Sequence, residues 1–590
     1  MPLKPILVVA LAIGAWGVLA MAQHRDAVPA LETRVERLQA RMESIESIRA
    51  IKRLQYAYGH YVELGLWNDF ADLFAADAVT NYQAGVRGKD AIRRLFFDQV
   101  GQGKLGLSDG RIYPHILFQP VISLAPSGRS AKGRWRILAM LGGLGGSATW
   151  YSGVYENEYV LEDGVWKISV LHSEPKVTAA YTAAGWKDSG VHLPFHYTAA
   201  SVTAPIPDSG NLSAKPANDT TPSLTSLAEN VNQLATRAAR LNDQAEVTNL
   251  QDTYGYAVDR RLWDQVADLF AGNGTLELGL EGVYVGKASI RHALDQFGTQ
   301  GLDVGERGGE LNDHVYLQTL VSVAPDGRIA QARGVELIMS NGRGGELSEG
   351  VFENTFVKQD GGWKIQSVHF YPRMIVDAAA GWAKSAKPAP GPSKDFPPDR
   401  PPTVFYEIYP KFSVAPYHFD NPVTGKPPQY PAGVLSVPRP ATVAPPSTAT
   451  IRSAKELEAI LTNAERSLAA AEAYDAAENL IGAYGYYLDE SPSDVATLFA
   501  QPGPKTNTST SESSIFVNQI LQLVIDVAPD GKSAKIRARM LNLGGTFGGA
   551  GYWTAGTFEG QIVSEQGKWR FQTAHSLSVW SAPYPGGWGR

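Results

Sequence analysis

Tyr58-Gly59-His60-Tyr61-Val62-Glu63-Leu64-Gly65-Leu66-Trp67, running on to Ala71-Asp72-Leu73-Phe74, is the first of three versions of one phrase in this chain. The second is Tyr254-Gly255-Tyr256-Ala257-Val258-Asp259-Arg260-Arg261-Leu262-Trp263, followed by Ala267-Asp268-Leu269-Phe270. The third is Tyr484-Gly485-Tyr486-Tyr487-Leu488-Asp489, followed by Ala496-Thr497-Leu498-Phe499. Further landmarks recur in the same order. A strand entering a Pro-x-Gly turn stands at Val121 to Gly128, Val321 to Gly327 and Ile525 to Gly531. Next come Gly153-Val154-Tyr155-Glu156-Asn157, Gly350-Val351-Phe352-Glu353-Asn354 and Gly556-Thr557-Phe558-Glu559. A Trp then precedes a His by six residues in every copy, at Trp166 and His172, Trp363 and His369, Trp569 and His575. An ordered recurrence of this kind marks an internal repeat.

Within each copy the apolar spacing is helical first and strand-like later. Ile51 to Val62 and Trp67 to Phe74 carry helical periodicity, whereas Ile116 to Leu171 is rich in β-branched and aromatic runs broken by glycine turns. Helices grouped before an antiparallel sheet predict an α+β unit with helices on one face of a curved sheet. Each copy also has a helical preamble. Leu31, Val35, Leu38, Met42 and Ile45 keep a 4-3-4-3 spacing, and Leu227, Val231, Leu234 and Leu241 do much the same. Either a short coiled coil or docking on its own domain would use that stripe, and docking is the expectation.

The predicted layout is a signal peptide at 1–22, a first domain at 23–198, a linker at 199–223 and a second domain at 224–385. A Pro-rich extension follows at 386–450, then a degenerate third domain at 451–590. Lys4, the apolar run from Ile6 to Ala20 and the small-x-small Ala20-Met21-Ala22 predict secretory cleavage after Ala22, with an uncleaved anchor as the rival. Export to the periplasm or medium, with no stable membrane insertion afterwards, is the expectation. The 590 residues contain no cysteine, which excludes disulfides and thiolate chemistry. A net charge of −6 offers nothing to nucleic acid.

The order Y-G-x-x-x-[D/E], W, A-D-L-F, His, G-x-[YF]-E-N and G-x-W-K-I resembles the SnoaL-like, or nuclear transport factor 2-like, superfamily, which includes scytalone dehydratase and the polyketide cyclases. The resemblance implies cone-shaped α+β barrels, each around an apolar pocket, with no metal or organic cofactor. It places a catalytic acid at Glu63 and Asp259 and a strand histidine at His115 and His314. A carboxylate that orients and charges an imidazole makes a general base. Tyr58, Tyr254, Tyr155, His172 and His369 are the candidates for contacting substrate. No second pocket histidine stands on the middle strands, where the dehydratase pattern has one.

In copy three, Gln501 to Ser514 replaces a strand and a helix, and Asn518 stands at the histidine position, so it is read as degenerate. Sheets of this superfamily pair face to face. Copies one and two are therefore expected to form a dimer within the chain, leaving copy three for self-association. The leading expectation is a lyase or isomerase acting on a hydrophobic, aromatic or polycyclic small molecule. The alternative is a non-catalytic binding or scaffold protein for such a ligand. The glycine-rich Gly142 to Gly146 looks like a phosphate loop, but no helix follows it, and a hairpin tip is expected there.

Overall fold

A computed structural model describes the chain except residues 1–8, 83–84, 183–184, 208–222, 302–309, 342–344, 432–434, 436–450, 452, 501–513, 547–549 and 585–590. Its architecture is α+β, with three curved sheets, each backed by a long helix. The long helices are Val9–Glu63, Leu224–Asp259 and Ala454–Glu490. Ser223 and Ser453 cap the second and third, accepting hydrogen bonds from the amides of Ser226 and Glu456. The first helix runs unbroken through Ala22, and among the described residues no helix is long and apolar enough to cross a membrane.

In units one and two a short helix (Trp67–Asp72, Trp263–Leu269) leads into a strand (Phe74–Thr80, Phe270–Leu278) and a second helix (Lys89–Gln99, Gly286–Leu294). Long strands follow, at His115–Leu124, Ser130–Gly143 and Ala148–Glu162 in unit one, and at Asn312–Val323, Ile329–Ser340 and Glu346–Gln359 in unit two. The sheets are not wholly antiparallel as expected. Phe74–Thr80 and Phe270–Leu278 pair parallel with the late strands carrying Ile168 and Ile365, because helices intervene where a hairpin would reverse the chain. Unit three is a four-stranded antiparallel sheet, and a single parallel bridge from Phe499 to Phe571 stands where that pairing would be. Its divergent 501–513 stretch lies outside the described residues. Gly142 to Gly146 is a hairpin tip between two strands.

The preamble helices do not dock separately. Leu31, Val35, Leu38, Met42 and Ile45 share one buried cluster with Leu227, Val231, Leu234 and Leu241 and with Leu457, Leu461 and Leu468. The result is a three-helix bundle, since each stripe alone has too few apolar residues for its own sheet and together the three bury one another. Arg41 pairs with Glu472 at 2.6 Å and Arg237 with Glu46 at 2.5 Å across its faces.

The sheets repeat this arrangement. Strand residues of one parity face their own helices, as Leu117, Ile137 and Ala139 do in unit one. The opposite parity from all three units meets in a common core: Phe118 and Trp150, Leu317 and Met374, Leu521 and Trp553. The third sheet is packed into this core with the other two, so the expected pairing of units one and two with a free third face gives way to a pseudo-threefold. One residue type sets the closure. Gln119, Gln318 and Gln522 sit at matching bulges with φ near 54°, each reaching the next unit. Gln318 accepts from the Leu117 amide and donates to Tyr56 O of unit one. Gln522 accepts from the Tyr316 amide and donates to Asp252 O of unit two, and Gln119 accepts from the Ile520 amide and donates to Gly482 O of unit three. This explains the Tyr-Gly pair in the repeat. A Cβ on Gly255 would lie 2.5 Å from Gln522 Nε2, and one on Gly485 2.5 Å from Gln119 Nε2. The three glutamines, with Tyr56, Asp252 and Glu478, line an axial cavity of about 80 Å³.

Much of the Pro-rich extension is laid over unit one. Tyr430 bonds His60 at 2.8 Å, the Gln429 amide donates to Asp69, and Lys411 pairs with Asp109.

Candidate functional site

The repeat phrase ends each long helix with a carboxylate, and in all three units an arginine of the next unit holds it. Glu63 pairs with Arg373 of unit two, Asp259 with Arg539 of unit three, and Asp489 with Arg136 of unit one at 2.7 Å. Arg136 and Arg539 occupy equivalent strand positions. Val335 stands there in unit two, so Arg373 reaches in from the last strand. Glu63 therefore does not meet His115 as the sequence reading expected, because its charge is neutralised across a unit boundary. Asp259 touches the histidine residue only through its backbone, accepting the His314 amide at 2.6 Å. Asp489 accepts the Asn518 amide in the same way at 2.7 Å.

The strand histidines do face into their cones, but on different partners. His115 Nε2 lies 3.0 Å from the Tyr155 hydroxyl, which lies 3.3 Å from that of Tyr58. All three are buried, and His115 Nδ1 has no partner among the described residues. Burial drives the His115 pKa down to about 3 and pushes both phenols well up, so this chain of groups is uncharged at neutral pH. Among the described residues no carboxylate bonds to it.

Unit two differs at several strand positions around its histidine. Glu336 replaces the apolar residue found in unit one (Ile137), and its Oε1 lies 2.7 Å from His314 Nδ1. Burial of the Glu336 side chain is nearly complete, at 6% exposure, whereas His314 keeps 18%. Tyr316 stands directly opposite Glu336 across the strand pair, and Tyr254 stacks edge-on against Tyr316. With Nδ1 engaged by the carboxylate, the proton of a neutral imidazole sits there, and Nε2 presents its lone pair. Phe352 takes the place of Tyr155, removing the hydroxyl that occupies Nε2 in unit one. Of the two strand histidines only His314 is thus coupled to a carboxylate among the described residues, one that sequence reasoning missed; elsewhere His196 pairs with Glu156 at 2.7 Å and His418 with Glu353 at 2.6 Å. A lone charge amid Gly334-Val335-Glu336-Leu337-Ile338-Met339 was the available signal.

The later histidines play another part. The amides of His172 and His369 donate to Asn157 and Asn354, the asparagines of G-x-[YF]-E-N. Those asparagines also donate to Gln55 and Gln251, locking helix to sheet. The His172 ring lies 3.6 Å from Glu174, while the His369 ring stacks on Tyr371, with its pKa lowered by burial to about 3.

The SnoaL-like domain model matches residues 43–172 and 239–369, and unit three lies outside both spans. No curated protein matches the chain. Solved structures similar to it include a putative scytalone dehydratase from Novosphingobium aromaticivorans, 21% identical, covering 26% of this chain and 98% of that one, with a TM-score of 0.22. A hexachlorocyclohexane dehydrochlorinase, LinA-type3 from Novosphingobium barchaimii, is 18% identical over 26% and 97%, with a TM-score of 0.21. ActVI-ORFA from Streptomyces coelicolor is 20% identical over 22% and 95%, with a TM-score of 0.19. Residues 43–172 and 239–369 are thus each similar to a SnoaL-like domain.

Proposed function

We propose that the chain is a cofactor-independent lyase acting on a hydrophobic small molecule, with its working centre in unit two. The observation that carries this is the 2.7 Å contact between His314 Nδ1 and Glu336, with no partner for Nε2 among the described residues, so that Nε2 can act as a base. In the reaction, Nε2 takes a proton from a substrate carbon. The electron pair of that C–H bond becomes the new C=C bond as the leaving group on the neighbouring carbon departs with its own pair. Glu336 stabilises the imidazolium, which then returns its proton to the departing group when that group is a hydroxide. Tyr254 and Tyr316, protonated throughout, are placed to contact the substrate. Unit one, with His115 neutral and capped by Tyr155, serves as a binding or structural copy. The similarity of single units to a dehydratase and a dehydrochlorinase fits elimination chemistry.

The test is mass spectrometry of small molecules co-purifying with the full chain, repeated after incubation. Conversion by wild type but not by His314→Ala supports the lyase. Ligand returned unchanged by both proteins favours the second reading, a binding scaffold, for which the three arginine-neutralised helix-end carboxylates speak. Export belongs to the same proposal. Intact mass of the secreted protein should show a chain beginning at Gln23, and a full-length mass would contradict it.

A further inference from the structure

Away from the cones, a cleft of about 290 Å³ opens between the first and second long helices. Arg49, Arg53, Arg237 and Arg240 all line it. Among the described residues two carboxylates bond directly to them. Glu46 takes Arg237 in a two-pronged contact, and Asp475 takes Arg49 while also serving Lys52. Arg240 donates to the Pro325 carbonyl at 3.1 Å and leaves its Nε buried without a partner. Arg49 Nη2 and Arg53 Nε are likewise buried and unpartnered, and Arg53 makes no hydrogen bond or ion pair among the described residues. Burial pushes the Arg53 pKa below the usual guanidinium value, yet a guanidinium stays charged at any ordinary pH.

A half-buried cation with no protein partner is costly to leave unpaired, and guanidinium forks match carboxylate and phosphate oxygens. Apart from Gln244, which accepts from Arg49, the remaining walls are apolar: Trp166, Leu54, Leu241, Ala50 and Pro422. We propose that this cleft binds a small organic anion, its carboxylate or phosphate meeting Arg53 and Arg240 and its apolar body lying against Trp166 and Leu54. The volume is at the lower end of small-molecule pockets, sized for a single substituted ring. The site joins the unit-one helix and sheet, the unit-two helix and the unit-two extension, so occupancy also ties units one and two together.

Calorimetric titration of the full chain with benzoate, phenyl phosphate, inorganic phosphate and benzyl alcohol tests this. Saturable one-to-one binding of benzoate or phenyl phosphate is expected, the tighter of the two naming the head group. Inorganic phosphate should bind at least tenfold more weakly and benzyl alcohol not at all. Arg53→Met should weaken binding at least tenfold and, without ligand, melt no lower than wild type, since it removes an unpaired, half-buried charge. His314→Ala should leave the titration unchanged, which separates this site from the proposed reaction. Absence of saturable binding to wild type, or equal binding by Arg53→Met, overturns the proposal.

Discussion

Replacing Arg136 with Met removes one side of a pair in which both side chains are fully buried, joining unit one to unit three. Arg136 Nη2 lies 2.7 Å from Asp489, Nε donates to Gln119 at 3.2 Å, and the guanidinium lies 4.7 Å from the centre of the Tyr486 ring. Met keeps most of the volume, so the loss is electrostatic. Asp489 retains only its contacts to Asn518, and breaking a buried pair from one side costs about 3–5 kcal/mol. If the three units melt as one, the unfolding entropy of 590 residues spreads that cost into a fall in Tm of about 2–4 °C. If unit three melts alone, as a body of about 140 residues, the same cost lowers its transition by about 10–17 °C. The shared core and the glutamine ring predict the smaller, whole-molecule shift.

The pH dependence follows from Asp489. Burial already holds its folded pKa above the ordinary carboxylate value, and Arg136 pulls it back. Without Arg136 it rises further, so the folded variant binds a proton that the unfolded chain, with a pKa near 3.9, has released. Stability then falls as pH rises above about 4, and the variant's deficit is larger at pH 7.5 than at pH 5.5. Scanning calorimetry at both values reads the effect, and Arg136→Met/Asp489→Asn should recover most of it. An unchanged Tm, a deficit equal at both pH values, or movement of only a partial transition would refute the reasoning.

Two further outcomes follow from the packing. Gly255→Ala puts a methyl 2.5 Å from Gln522 Nε2 and Tyr316, and should cost about 1–3 kcal/mol in denaturant unfolding, whereas Gly272→Ala, with open space around it, should cost under 1 kcal/mol. His115 and His369, buried and neutral, take up protons only on unfolding as pH falls below 6.5. Stability should therefore drop by about 1.4 kcal/mol per pH unit for each of them towards pH 4, and His115→Phe should flatten that slope measurably in a Tm–pH profile.

The repeat and the α+β character were legible because both are local: turn glycines, strand runs and Trp–His spacing are written within each copy. The pseudo-threefold was not, because self-comparison aligns copies without saying which surface meets which. Yet its signature was in view, a glutamine at the same strand position three times. The helix-end carboxylates misled for a related reason. Glu63 and Asp259 read alike whether aimed into the cone or out at a neighbour, and the arginines that decide the matter are far away in sequence. Glu336 was overlooked because the other copies carry Ile137 and Met540 at its position, so a search for shared residues passes over it.

Proton abstraction from an activated probe such as nitrobenzisoxazole, compared across wild type and the Glu336→Gln, His314→Gln and His115→Gln variants, bears most directly on the proposed centre. Wild type and His115→Gln should open the probe at similar rates. His314→Gln should lose the reaction, and Glu336→Gln should slow it by about 10²-fold or more, the usual contribution of a positioned acid–base group. Loss in His115→Gln with His314→Gln unaffected would contradict the account.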